Sequence, residues 1–138
     1  MMSSAAVEVG DELPVFQRRT GLAEWNRYAA VNDEFVPIHM DDEAGRAAGF
    51  QSALGMGNLQ IAYLHNLVRD WLGDRGRILT LSCRFNAPNL KDTIVRAGGH
   101  VTAVIPKENG VEIALDVWTA DAAGNRLAPG TCTVLIDR

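Results

Sequence analysis

Clusters of positive charge are what this chain most plainly lacks. Its 13 Lys and Arg are scattered among 17 Asp and Glu, for a formal net charge of −4. A nucleic-acid or anionic-membrane surface needs a concentrated positive field, so neither partner is expected. No apolar run approaches the roughly 20 residues that cross a bilayer. The opening Met1-Met2-Ser3-Ser4-Ala5-Ala6-Val7-Glu8 has no basic segment followed by an apolar core, and a cytoplasmic location is the resulting expectation. Cysteine is scarce too. Cys83 and Cys132 have neither the spacing of a metal clip nor the density of a disulfide scaffold, so two buried or half-buried free thiols are expected and a structural zinc site has no support. With no repeat, low-complexity tract or linker, residues 1–138 read as one domain, long enough to bury about two-thirds of its unfolded surface. Residues 1–12 carry few apolar positions and are expected to be loosely ordered.

What is present divides into two periodicities. Leu13 to Arg19 can form a short strand begun by Pro14, and Thr20 is placed to N-cap a helix over 21–31 with Leu22, Trp25, Tyr28 and Ala29 on one face. Asp41 caps a second, short helix that holds Asp42 and Glu43 in its first turn and stops at Gly49. A loop with glycines at 55 and 57 then leads into the longest helix, 58–72, apolar around most of its circumference and ended by Gly73. Beyond Gly73 the pattern alternates: 78–85, 93–105, 111–120 and 128–136 read as strands of an antiparallel meander, with Gly98-Gly99 marking a bulge or bend. The fold class is α+β, a curved antiparallel sheet wrapped around one long central helix.

The most informative stretch is Asn32-Asp33-Glu34-Phe35-Val36-Pro37-Ile38-His39-Met40-Asp41. It sets an imidazole and two acids on one proline-stiffened loop, the minimum apparatus for moving protons to and from water near neutral pH. An acid beside a helix C-terminus is locally unfavourable, so Asp33 and Glu34 are better explained by use than by stability. His65 and His100 have no metal-like partners and read as surface or interface residues. Arg84, Lys91 and Arg96 read as solvated charges.

The segment Tyr28 to Leu59, followed by Cys83-Arg84-Phe85-Asn86-Ala87-Pro88, resembles the MaoC-like hydratases and dehydratases of the hotdog fold. The matching residues are Tyr28-Ala29, Pro37-Ile38-His39, Asp41, Ala48-Gly49-Phe50, Gly57 and Arg84-Phe85 with Pro88. Three positions depart: the family's catalytic Asp falls on Glu34, with Asp33 just before it; its Asn falls on Val36; and the His of its His-Gly pair falls on Met56. The resemblance implies a hydro-lyase of fatty-acid metabolism, reversibly hydrating a trans-2-enoyl thioester to the (R)-3-hydroxyacyl thioester through a dyad of His39 with Glu34 or Asp33. The extra methylene of Glu34 matters, because a misplacement of about 1 Å can cost on the order of a hundredfold in rate. Gly57, opening the long helix, would present its N–H to the thioester oxygen. Asn58 would add a donor or serve as the helix N-cap, and Met56 would lie beside them on the substrate side. No cofactor is implied beyond the coenzyme A or acyl carrier protein borne by the substrate. Open sheet edges imply a dimer that shares its acyl tunnel. Two other readings stay open: a non-catalytic or weakly catalytic subunit in a heteromer with a second hotdog chain, and an acyl-CoA thioesterase on the same scaffold.

Overall fold

Alternating burial is strongest after Gly76, and that half of the chain builds most of the sheet. The computed structural model describes residues 7–137. Strands β1 (Phe16–Thr20), β2 (Gly76–Cys83), β3 (Thr93–Lys107), β4 (Gly110–Ala120) and β5 (Arg126–Asp137) form one sheet in the order β1-β3-β4-β5-β2. Every pairing is antiparallel. Tight turns join β3, β4 and β5 as the expected meander. The strand before them does not belong to it: β2 pairs with β5 at the far edge. The two sides of β3 are taken by β1 and β4, and residues 84–92, with Pro88, are too long for a hairpin. They carry the chain across the end of β5 instead, through Arg84 N–H to Pro129 O and Asn86 N–H to Leu127 O, both 2.9 Å.

Curvature comes from register shifts between Ile78 and Thr80, Val101 and Ala103, and Thr119 and Ala120, where an unpaired residue bends a strand. The irregularity in β3 thus falls beyond the glycine pair that was expected to mark it. Gly98 and Gly99 serve close approach: a Cβ on Gly98 would meet the Trp118 indole nitrogen at 3.2 Å, and one on Gly99 the Asp116 carbonyl oxygen at 2.6 Å.

The concave side holds α3 (Gly57–Leu72), whose Leu64, Leu67, Val68 and Leu72 pack against Val101, Ile113, Leu115, Val117, Val134 and Ile136. Each such large apolar side chain, fully buried, stabilises the fold by about 1.5–3 kcal/mol. His65, Asn66, Arg69 and Asp70 face outward, so α3 is apolar on one broad face and not around most of its girth. Helix α1 (Leu22–Asn32) lays Trp25 and Ala29 against Ala53 and Met56 in a second cluster. Thr20 does not cap α1. Its hydroxyl turns into the core within 3.0 Å of Thr93 O and 3.1 Å of Asn89 Oδ1, which ties β1 to the 89–93 loop and leaves Gly21 at the N-cap position without a side-chain bond. Asp41 does cap α2 (Asp42–Ala47), accepting from the Ala44 N–H at 3.2 Å, and Gly49 follows with φ +98°.

The expectation of a loose start covers residues 1–12. Residues 1–6 lie outside the described residues. Within 7–12, Val7 is buried, and Gly10 N–H to Val101 O and Val101 N–H to Asp11 O are both 2.8 Å, so the segment is tied to β3. Cys83 and Cys132 are free thiols, half-buried and buried, as expected, and burial pushes the Cys132 thiol up to about 11. Among the described residues no helix is long and apolar enough to cross a membrane.

Candidate active site

The turn that carries His39 is dictated by proline. Pro37 disfavours helix in the residue before it, so Val36 is extended at φ −95° and ψ 127°. Pro37–His39 then make one 3-10 turn, closed by His39 N–H to Val36 O and Met40 N–H to Pro37 O, both 3.0 Å. Two contacts clip it to the segment entering α3. Leu54 N–H donates to Ile38 O at 3.0 Å, and His39 Nδ1 lies 2.8 Å from Leu54 O. A carbonyl only accepts, so Nδ1 carries the proton, and in the neutral ring the lone pair is on Nε2. His39 is 9 % exposed and faces a cavity of about 340 Å³ that it lines with Phe50, Leu54, Gly57, Gln60 and Phe85.

Gly57 is the first residue of α3, so its N–H has no intrahelical acceptor. The residue must be small, because a Cβ would sit 2.8 Å from the Phe85 ring. Met56 occupies the N-cap position, with no side-chain capping bond. Its side chain is fully buried with Trp25, Ala29 and Ala53 and is not part of the cavity lining. The N-cap reading of Asn58 is thereby corrected. Asn58 is one position inside the helix and exposed, and its Nδ2 instead reaches Glu34 Oε1 at 3.4 Å.

The two neighbouring acids have different settings. Asp33 ends α1 in the left-handed conformation, φ 52° and ψ 46°, with its N–H on Ala29 O, and it is exposed. Glu34 is half-buried against the first turn of α3, and its Oε2 is buried with no partner among the described residues. Burial and then the Glu34 charge raise the nearby Tyr28 hydroxyl above its ordinary pKa. His39 and Glu34 make no ion pair with each other among the described residues. Each borders the start of α3 separately: His39 shares the cavity lining with Gly57, while Glu34, which does not line that cavity, is reached by Asn58 Nδ2.

Three residues escaped the sequence reading. Lys91 is not a solvated charge: its Nζ lies 2.6 Å from Asp42 Oδ2, while Asp42 Oδ1 accepts the Ala53 N–H at 3.1 Å. These bonds, that to Lys91 first, hold the Asp42 carboxyl below the ordinary carboxylate range. Nothing in the sequence links positions 49 residues apart. Gln60, buried in the cavity wall, did leave a signal: it is the polar member of the buried 60, 64, 67 stripe.

Residues 6–121 match the MaoC like domain family. An (R)-specific enoyl-CoA hydratase of Aeromonas caviae is 30 % identical over 104 residues, which cover 75 % of this chain and 77 % of that protein. Among solved structures, the (R)-hydratase of A. caviae involved in PHA biosynthesis matches with a TM-score of 0.84 at 24 % identity, over 95 % of this chain and 98 % of that one. The ChsH1-ChsH2 complex of Mycobacterium tuberculosis matches with a TM-score of 0.81 at 20 % identity, over 94 % of this chain and 98 % of that one. The family match runs through the His39 turn, α3 and the strands as far as the turn after β4, and with the curved sheet closed on α3 it places this chain in the MaoC-like hydratase and dehydratase family, in the hotdog fold.

Proposed function

We propose that the chain reversibly hydrates a trans-2-enoyl thioester to the (R)-3-hydroxyacyl thioester, with water as the only second reactant and no cofactor of its own. The observation that carries this reading is the Nδ1 bond to Leu54 O, which leaves an imidazole lone pair facing a cavity that also holds Gly57. In the forward direction Nε2 of His39 takes a proton from water as the water oxygen bonds the β-carbon. Negative charge gathers on the thioester oxygen, where the Gly57 N–H and the positive end of α3 meet it. The imidazolium proton then passes to the α-carbon, and the ring is neutral again. Glu34 accepts the second hydrogen of the same water, fixing its position and favouring the transient imidazolium. Asn58 holds Glu34 toward the helix, and Met56 supports the first turn from behind.

A second chain is expected along β2, the sheet edge where Leu79 is exposed, with exposed Phe85 just beyond it. A homodimer is the simpler form. A heteromer with a different hotdog chain is favoured by the structural match to the ChsH1-ChsH2 complex and by an apolar Met56 at the start of α3. The deciding assay is loss of enoyl absorbance with short, long and ring-bearing enoyl-CoA substrates, for wild type and His39→Ala. Wild-type turnover that falls by about 10²–10⁴ in the variant supports the reading. Equal turnover refutes it. Activity seen only after a second hotdog chain is added assigns this chain to a heteromer, and release of free thiol would identify a thioesterase.

A further inference from the structure

We propose that Gln60 makes this site selective for acyl thioesters whose acyl group carries its own hydrogen-bond acceptor, a ketone, hydroxyl or ether oxygen, over plain hydrocarbon chains. The proposal rests on the hydratase reading above and deepens it.

Gln60 is 2 % exposed and lies on the buried face of α3 with Leu64 and Leu67. Its Oε1 is 2.6 Å from Thr119 Oγ1 on β4, and that hydroxyl, fully buried, accepts the Ala128 N–H at 3.1 Å. The chain of bonds has a fixed polarity. The Ala128 N–H occupies one of the two lone pairs of Thr119, and the hydroxyl hydrogen is donated to the Gln60 amide, which can receive it only on oxygen. Reversing the amide would strand that hydroxyl hydrogen in the core, which buried donors seldom tolerate. The Nε2 group, with two donors, is therefore turned away from β4. It has no partner among the described residues and is not one of the fully buried unpaired atoms, and Gln60 forms part of the cavity wall.

Position gives these donors their meaning. Gln60 follows Gly57 by three residues, so the two share a helix face, and Gln60 is the more deeply buried. A thioester carbonyl held at the Gly57 N–H sends its acyl chain past Gln60. Apart from His39 and Asn86, the other lining side chains are apolar, among them Phe50, Leu54, Phe85, Ala87 and Pro88. A hydrocarbon chain pressed there removes water from two N–H groups and returns nothing. An oxygen in the chain pairs with them. Sites built to hydrogen-bond a substrate reject the analogue that lacks the partner far more strongly than apolar sites reject an added group.

Saturated thioesters test this apart from catalysis, because they bind without reacting. Calorimetric affinities of octanoyl-CoA and of oxo-octanoyl-CoA isomers, with the ketone at successive carbons, are measured for wild type and for Gln60→Met, each checked for folding by thermal melting. In wild type at least one oxo isomer is expected to bind roughly tenfold more tightly than octanoyl-CoA, and in Gln60→Met the ratio should fall to about one. A wild-type ratio of one for every isomer overturns the proposal without touching the hydratase reading, whether or not the variant folds. A uniform loss in Gln60→Met with the ratio kept also overturns it, and assigns the amide to the thioester oxygen common to all these ligands. Failure of every thioester to bind wild type sinks both this proposal and the function it rests on.

Discussion

The two ends of α3 are finished in opposite ways. At the C-terminal end Gly73 turns the chain at φ +58° and its N–H bonds Arg69 O. Arg75 then folds back, donating from Nε to Leu72 O at 3.0 Å and from Nη2 to Trp71 O at 2.6 Å, with its guanidinium over the Trp71 ring. A cation on the last carbonyls suits the negative end of the helix dipole. At the other end the cap position holds Met56, which has no oxygen to offer, and the helix opens on a glycine at a cavity. Leaving out a cap forgoes about 1 kcal/mol of stability. Leu59 and Gln60 already donate to Met56 O; what is kept is the Gly57 and Asn58 N–H groups, without an acceptor among the described residues, the kind of donor a developing negative charge requires. One end of the helix is finished for stability; the other is left open in the way the proposed thioester contact needs.

Between the two ends, the larger loss is expected at Glu34. On the proposed mechanism, Glu34→Gln keeps the shape and the Asn58 contact but removes the charge, and turnover should fall by about a hundredfold or more with little change in melting temperature. Asp33→Asn should leave turnover unchanged, since Asn tolerates the left-handed conformation and the side chain is in solvent. Initial rates for the two variants on one enoyl-CoA decide it. Loss confined to Asp33→Asn would move the acid off the start of α3 and separate Glu34 from the chemistry.

At the opposite end the expected effect is smaller and of another kind. Arg75→Ala removes two bonds from the terminal carbonyls, a loss of about 1–3 kcal/mol, softened because Arg75 Nη1 is itself buried without a partner among the described residues. A chain of this size should melt several degrees lower and keep its turnover per folded molecule. Thermal melting and initial rates on the same preparation separate the two. A fall in turnover at unchanged melting temperature would mean that the C-terminal end also serves the site.

How much of this was legible in the sequence depends on how local each cause is. Helix α3 and strands β3, β4 and β5 follow from patterns within one element, and so does the turn at His39, which Pro37 imposes on its neighbours. The edge position of β2 was hidden because it depends on which strands compete for the sides of β3. Thr20 and Asn58 were both read as caps, since either residue type suits that place. Each is drawn elsewhere by a partner distant in sequence, Thr93 and Glu34 respectively. At the site, the placement of Glu34 and Asp33 could not be settled without the left-handed turn at residue 33, which exposes one acid and turns the next inward.

The smallest effect tests what holds the uncapped end in place. Asp42 accepts the Ala53 N–H and the Lys91 ammonium, and Ala53 precedes Leu54, whose carbonyl orients His39. Because the folded chain holds the Asp42 carboxyl below its ordinary 3.8, the unfolded chain binds the proton first as pH falls. The stability this pair contributes is therefore complete above about pH 4 and is lost as pH drops through the lower, folded value. Lys91→Met should melt slightly below wild type at neutral pH, with the gap closing in acid, and melting curves at stepped pH would show it. A gap that persists in strong acid would mean Lys91 acts through packing of its stem rather than through charge. The Leu54 carbonyl would then be positioned by shape alone, and the start of α3 would owe nothing to an ion pair.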